Sequence, residues 1–186
     1  MKGFNFADWN SSGGPRPTVV GPLYDPPHAD WTLKNLAATG ANWTNLVVVL
    51  SQETIASTTV IRSQYGTASD SALRHIIDLA HSMGMRVSLM PMIVLSNDPS
   101  HFAGHIGTTF TSEAQWQDWF ASYREIINHY AAFAQSSGAD MFVIGHEVGA
   151  TTHREDDWRR IIREVRQRGR AAGDPAIGVL HLQRGY

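Results

Sequence analysis

Glu147 stands where a carboxylate could do acid–base work. It follows the run Met141-Phe142-Val143-Ile144-Gly145-His146, so its side chain is expected to emerge where an apolar strand runs out into a loop. A carboxyl group held there against Trp and Phe side chains would lose solvation and keep a proton for a leaving-group oxygen. The plainer alternative is a solvated loop glutamate. Two further acids, Glu53 and Asp98, follow other apolar runs and could share the same rim.

His146 and His153 flank Glu147, and imidazole with carboxylate is a zinc-binding combination. In the zincin pattern the two histidines sit one helical turn apart with Glu beside the first. Here His153 lies seven positions past His146, across Gly149 and two threonines, so no metal is expected. The plain alternative is a rim histidine that packs and a second one exposed near a helix start. The chain has no cysteine, which removes disulfides, thiolate metal sites and a cysteine nucleophile together. It also has no glycine loop ending in Lys-Ser or Lys-Thr and no Gly-x-Ser-x-Gly elbow. Phosphoryl transfer and serine hydrolysis therefore have no support, and no cofactor is expected.

The elements that must position Glu147 come from a recurrence. An amphipathic helix pattern ends in glycine and is followed within a few residues by a short apolar, β-rich run. Leu33, Leu36 and Ala37 lead to Gly40 and the run 43–50, and Leu73, Ile76, Ile77 and Ala80 lead to Gly84 and the run 85–92. The third copy is the strongest. Trp116, Trp119, Phe120, Tyr123, Ile127, Tyr130 and Phe133 keep helical spacing to Gly138 and the run 140–144, with Ser112 and Gln115 forming a capping-box signature. Trp158, Ile161, Ile162 and Val165 precede Gly173 and a last run, 177–182. With Phe4 to Ala7 at the start, the order is β-α-β-α-β-α-β-α-β.

Strict alternation implies parallel strands, either in an open doubly wound sheet or in a closed barrel. Ser11-Ser12-Gly13-Gly14-Pro15 opens a long first loop instead of a dinucleotide-binding glycine fingerprint, and the loops at 51–68 and 93–111 are long while the helix-to-strand turns are short. That asymmetry favours a barrel. The expected fold is α/β, parallel (β/α) units of a TIM-type barrel, incomplete at about four to five units, as a single partial domain over residues 1–186.

At 42% hydrophobic and 17% charged, 186 residues can bury a substantial core. A net charge of −2 and a pI near 6.5 supply no field that would gather nucleic acid or anionic lipid. The six arginines between Arg159 and Arg170 follow Glu155, Asp156 and Asp157, an arrangement that complements a helix dipole and reads as a solvated helix exterior. No nucleic acid or membrane partner is expected, and neutral substrates fit better. No signal-peptide-like run is present and nothing approaches the roughly 20 apolar residues of a membrane span, so as given the chain reads as cytoplasmic, with secretion left open. Trp9, Tyr24 and Trp31 could offer flat faces to sugar rings, whereas Trp116, Trp119 and Trp158 lie on core-facing stripes.

Four pieces in order, Lys2-Gly3-Phe4-Asn5-Phe6 with Trp9, Leu36-Ala37-Ala38-Thr39-Gly40-Ala41-Asn42-Trp43, Ala80-His81-x-x-Gly84-Met85-x-Val87, and Phe142-x-x-Gly145-x-Glu147, resemble glycoside hydrolase family 113. The likeness runs from residue 1 to about Arg166. It implies a (β/α)8 barrel of the retaining-glycosidase clan, with endo-β-mannanase as the main activity and a polysaccharide or oligosaccharide as partner. By this resemblance Glu147 matches the fourth-strand acid/base, and Asn5 and Trp9 would lie at the sugar-binding floor. His146 stands where clan members commonly carry an asparagine that contacts the sugar, which makes it a substrate-binding candidate. The family nucleophile is a glutamate on a seventh strand, and this chain is expected to reach only about the fifth. Two readings follow: a retaining glycosidase-like domain acting on a β-linked polysaccharide, or a half-barrel that binds carbohydrate or pairs with itself as a homodimer without turnover. In the dimer, four strands from each copy would close eight, with the segment 177–186 displaced or swapped.

Overall fold

The computed structural model describes residues 2–7, 24, 26–63, 66–171 and 178–182, with side chains as far as residue 168. In chain order the elements are β1 (Gly3–Phe6), α1 (Pro26–Ala38), β2 (Trp43–Gln52), β3 (Val60–Ile61), α2 (Asp70–Ser82), β4 (Arg86–Leu95), α3 (Glu113–Ser136), β5 (Met141–Gly145), α4 (Glu155–Ala171) and β6 (Gly178–Leu182). Short 3₁₀ turns at Ala103–His105 and Gly149–Thr151 follow β4 and β5.

The sheet runs β1-β2-β4-β5-β6, parallel throughout, with β3 antiparallel on the end of β2. Order in the sheet equals order in the chain. A doubly wound sheet reverses direction at a switch point, so this sequential winding is the barrel's, and the five parallel strands are an incomplete barrel wall. The two faces differ accordingly. Leu46, Val48 and Leu50 of β2 and Val87, Leu89 and Ile93 of β4 join the helices in one large core, while Val47, Val49, Met90, Met92 and Val143 form a separate cluster on the concave face. Strand alternation with period two produces this division.

The helices form where their sequence signals stand. Ser112 accepts from the Gln115 backbone N–H and the Gln115 side chain returns to the Ser112 N–H, a complete capping box of about 1 kcal/mol at the start of α3. At the other end Gly138 takes φ 73°, a left-handed position that a residue without Cβ enters at no steric cost. Between them Trp119, Phe120, Tyr123, Ile127, Tyr130 and Ala134 are buried on one stripe.

Three differences from the sequence reading stand out. The long loop after β2 contains the two-residue strand β3, which folds back on Ser51 and Gln52 and is fastened to α3 where Val60 N–H donates to Ser122 Oγ at 2.9 Å. The strands β2 and β4 each run ten residues, past the expected ends at 50 and 92, because Gln52 and Leu95 are still buried. Tyr24 is no open sugar platform. It is 4% exposed, stacks on Phe6 at 5.6 Å, and donates its hydroxyl to the backbone oxygens of Val47 and Phe6.

Candidate active site

Glu147 lies two residues past the end of β5, exposed, on a backbone with φ 54°. A non-glycine residue in the left-handed region costs about 1–2 kcal/mol and persists only where its surroundings hold it. The holding groups are visible. Tyr123, buried in α3, donates its hydroxyl to Ile144 O at 2.9 Å, and burial pushes its phenol well above the usual tyrosine range, so it remains a donor. Trp158, buried at the start of α4, lies so close over Gly145 that a Cβ there would come 3.1 Å from its ring. The same indole N–H donates to Thr151 O at 3.1 Å and lies 3.2 Å from Thr151 Oγ1, which in turn donates to Val148 O at 2.7 Å. The turn bearing Glu147 is thus pinned on both sides while the carboxylate has no hydrogen-bond partner among the described residues. An apolar pocket around the carboxylate was the expectation. Its side chain is instead open to water.

The loop after β4 forms the neighbouring rim. Asp98 accepts from Ile55 N–H at 3.2 Å and pairs with His101 Nδ1 at 2.7 Å; the His101 bond, first among the causes, holds its carboxyl below the usual range. Asp98 is therefore a clasp between the loops after β2 and β4. Glu53 is exposed and, among the described residues, its side chain meets Asn97 Nδ2 at 3.4 Å. The Ala103–His105 turn packs on Gly149–Thr151, which joins this rim to the Glu147 turn. Arg154 ties the far end of that turn: it grips Glu113 through both terminal nitrogens, at 2.7 and 2.6 Å, donates from Nε to Asp157 at 2.9 Å, and lies over Trp116. That fork holds the Glu113 carboxyl below its usual range.

His146, half-buried beside Glu147, has its Nδ1 enclosed without a hydrogen-bond partner among the described residues. His153 does not join it: its Nδ1 is 2.9 Å from Ala150 O and its ring meets Trp116 edge-on at 5.1 Å. Among the described residues no group of three or more His, Cys, Asp or Glu could hold a metal ion. Asn5 aligns with Asn45, Ser88 and Met141, the first residue of β5, and accepts from Asn45 Nδ2 at 2.9 Å. Asn5 is the next-to-last residue of β1, on the concave face one layer above the Gly3, Trp43 and Arg86 row. Trp9 lies outside the described residues.

These features converge on one family. The model of Glycoside Hydrolase Family 113 matches residues 19–171. The chain belongs to glycoside hydrolase family 113. A GH113 β-1,4-mannanase structure superposes with a TM-score of 0.76 at 29% identity, over 90% of this chain and 52% of that one. A complex structure of a GH113 β-1,4-mannanase gives 0.74 at 28%, over 90% and 53%. The GH113 β-mannanase of Alicyclobacillus acidocaldarius in complex with ManMIm gives 0.68 at 28%, over 80% and 49%. No curated protein matches the chain. The chain spans about half the length of the GH113 structures it matches.

Within this GH113 chain, sequence reasoning missed Asp98–His101 and Arg154 as rim ties. Asp-x-x-His in a loop and an arginine just ahead of an acidic helix start were the available signals. It also read Trp158 as packing alone, whereas its indole braces the turn that carries Glu147.

Proposed function

We propose that this chain forms the acid/base side of a β-mannan-active site of the retaining type, with Glu147 donating a proton to the glycosidic oxygen and later taking one from the attacking water. The observation that carries this reading is Glu147 itself: an exposed carboxylate on a strained, braced turn at the C-terminal end of a barrel strand, in a GH113 chain. Catalytic groups of such barrels stand at that end. His146, beside it, is assigned to the sugar. A retaining cycle needs a second carboxylate roughly 5 Å away. In this reading it comes from the part of a family barrel that the chain does not span.

Reducing-end release from β-mannan, measured together with mannohexaose binding, tests this. Glu147→Gln should keep binding within a few-fold while lowering any turnover by about 10²- to 10⁴-fold. Wild-type protein that neither binds nor cleaves would overturn the reading.

A second reading rests on the sheet edges. Among the described residues β1 and β6 end the sheet, and Phe4 of β1 is exposed. Open parallel edges invite pairing, so a homodimer that binds sugar without turnover is the alternative. Here β6 is paired in register with β5, so two copies closing eight strands would each have to release it. A solution mass of one chain by light scattering would remove the dimer.

A further inference from the structure

Four large apolar side chains are exposed among the described residues: Phe4, Trp31, Ile61 and Phe102. Single exposed apolar groups are ordinary, and only a held geometry makes one informative. Phe102 is the aromatic one on a loop at the C-terminal ends of the strands, and it is held. Its ring lies over Gly104 so closely that a Cβ at that glycine would come 2.3 Å from Phe102 Cε2. Gly104 has no left-handed φ, and a side chain there would have to displace the Phe102 ring from its seat. The His105 ring supports Phe102 at 4.5 Å, and the turn they share packs on the turn that follows Glu147. Yet the residue remains 44% exposed.

Beside it stands a polar group equally fixed. His101 is 2.7 Å from Asp98 through Nδ1, and the depressed Asp98 carboxyl is itself anchored by Ile55 N–H. That bond makes Nδ1 the protonated nitrogen of the neutral ring and leaves Nε2 as its acceptor. Both rings pack on His105, Phe102 at 4.5 Å and His101 at 5.5 Å, so one turn carries a flat apolar surface and a hydrogen-bonding imidazole, the two features a pyranose offers in its apolar C–H face and hydroxyl-bearing edge.

We propose that Phe102 and His101 form a sugar-binding platform on the rim, taking a pyranose unit of a β-linked chain remote from the bond cleaved at Glu147. This rests on the reading that the chain acts on such a saccharide. The test is the affinity of the full chain for mannohexaose and for mannobiose by calorimetry. Phe102→Ala should weaken mannohexaose binding about 3- to 10-fold, with Phe102→Trp close to wild type, because a rigid aromatic face contributes on this scale. His101→Ala should weaken it in the same direction, and mannobiose, too short to reach both places, should be unaffected by Phe102→Ala. Unchanged mannohexaose affinity in Phe102→Ala, with wild type binding, would overturn the platform and leave the Glu147 reading standing. A wild type that binds neither sugar would overturn both. Loss in Phe102→Trp equal to that in Phe102→Ala would also refute stacking, since the flat face is retained.

Discussion

Replacing Glu147 by glycine is expected to stabilise the protein while removing the carboxylate proposed as its acid/base. At φ 54° an L-residue carries about 1–2 kcal/mol of backbone strain. The side chain offers nothing in return: it is exposed and has no hydrogen bond among the described residues. Alanine at this position keeps the Cβ and hence the strain. Glycine relieves it, but its freer unfolded chain takes back about 0.4–1 kcal/mol. The difference between Glu147→Gly and Glu147→Ala should be about 0.8 kcal/mol in favour of glycine, or about 2–3 °C in melting temperature for a chain of this size. Thermal melts of the two variants side by side measure it, and both lack the carboxylate, so charge cancels. Gly138→Ala is the mirror control. Its φ is 73° and the nearest atom to a new Cβ is His81 Cε1 at 3.9 Å, so strain without clash, offset by the stiffer unfolded chain, should lower stability by about 0.8 kcal/mol. A Glu147→Ala variant melting at or above Glu147→Gly would show that the turn is not strained, and the argument that the fold holds this residue in place against a cost would fail.

Trp158→Phe removes the indole donor to Thr151, whose carbonyl keeps the Arg154 N–H and whose hydroxyl keeps Val148 O, so the loss should be that of one hydrogen bond, about 0.5–1.5 kcal/mol. Under the proposed function, any β-mannan turnover should fall in kcat with KM within a few-fold, and an unchanged kcat would deny that Trp158 positions the Glu147 turn. Acidification should loosen the rim. The Asp98 and Glu113 carboxyls are held below their ordinary range, through His101 and Arg154 respectively, so their contribution is complete above that range and is lost as pH falls through and below about 4. The double variant Asp98→Asn/Glu113→Gln should show a shallower fall of melting temperature between about pH 5 and 3, and equal slopes would remove both ties from the account.

What the sequence determined by itself is the set of local elements. Helical spacing from Trp119 to Ala134, the Ser112–Gln115 box and the glycine at 138 are short-range signals, satisfied by hydrogen bonds and one buried stripe within a few turns. The apolar run 141–144 likewise announced a buried strand and located Glu147 just beyond it. The barrel winding was readable in outline, because long loops on one side and glycine turns on the other are written along the chain. Only the tertiary structure decided how those parts meet. That Asn5 lines up with Asn45, Ser88 and Met141 is a relation between strands about 40 or more positions apart along the chain. Tyr24 looks like an open ring until Phe6 and the Val47 carbonyl enclose it. The left-handed backbone of Glu147 has no signature in a residue type that rarely adopts it; it follows from Trp158 over Gly145 and Tyr123 on Ile144. Periodicity reports which face of an element is apolar, and the partner on that face is chosen by packing across the whole chain.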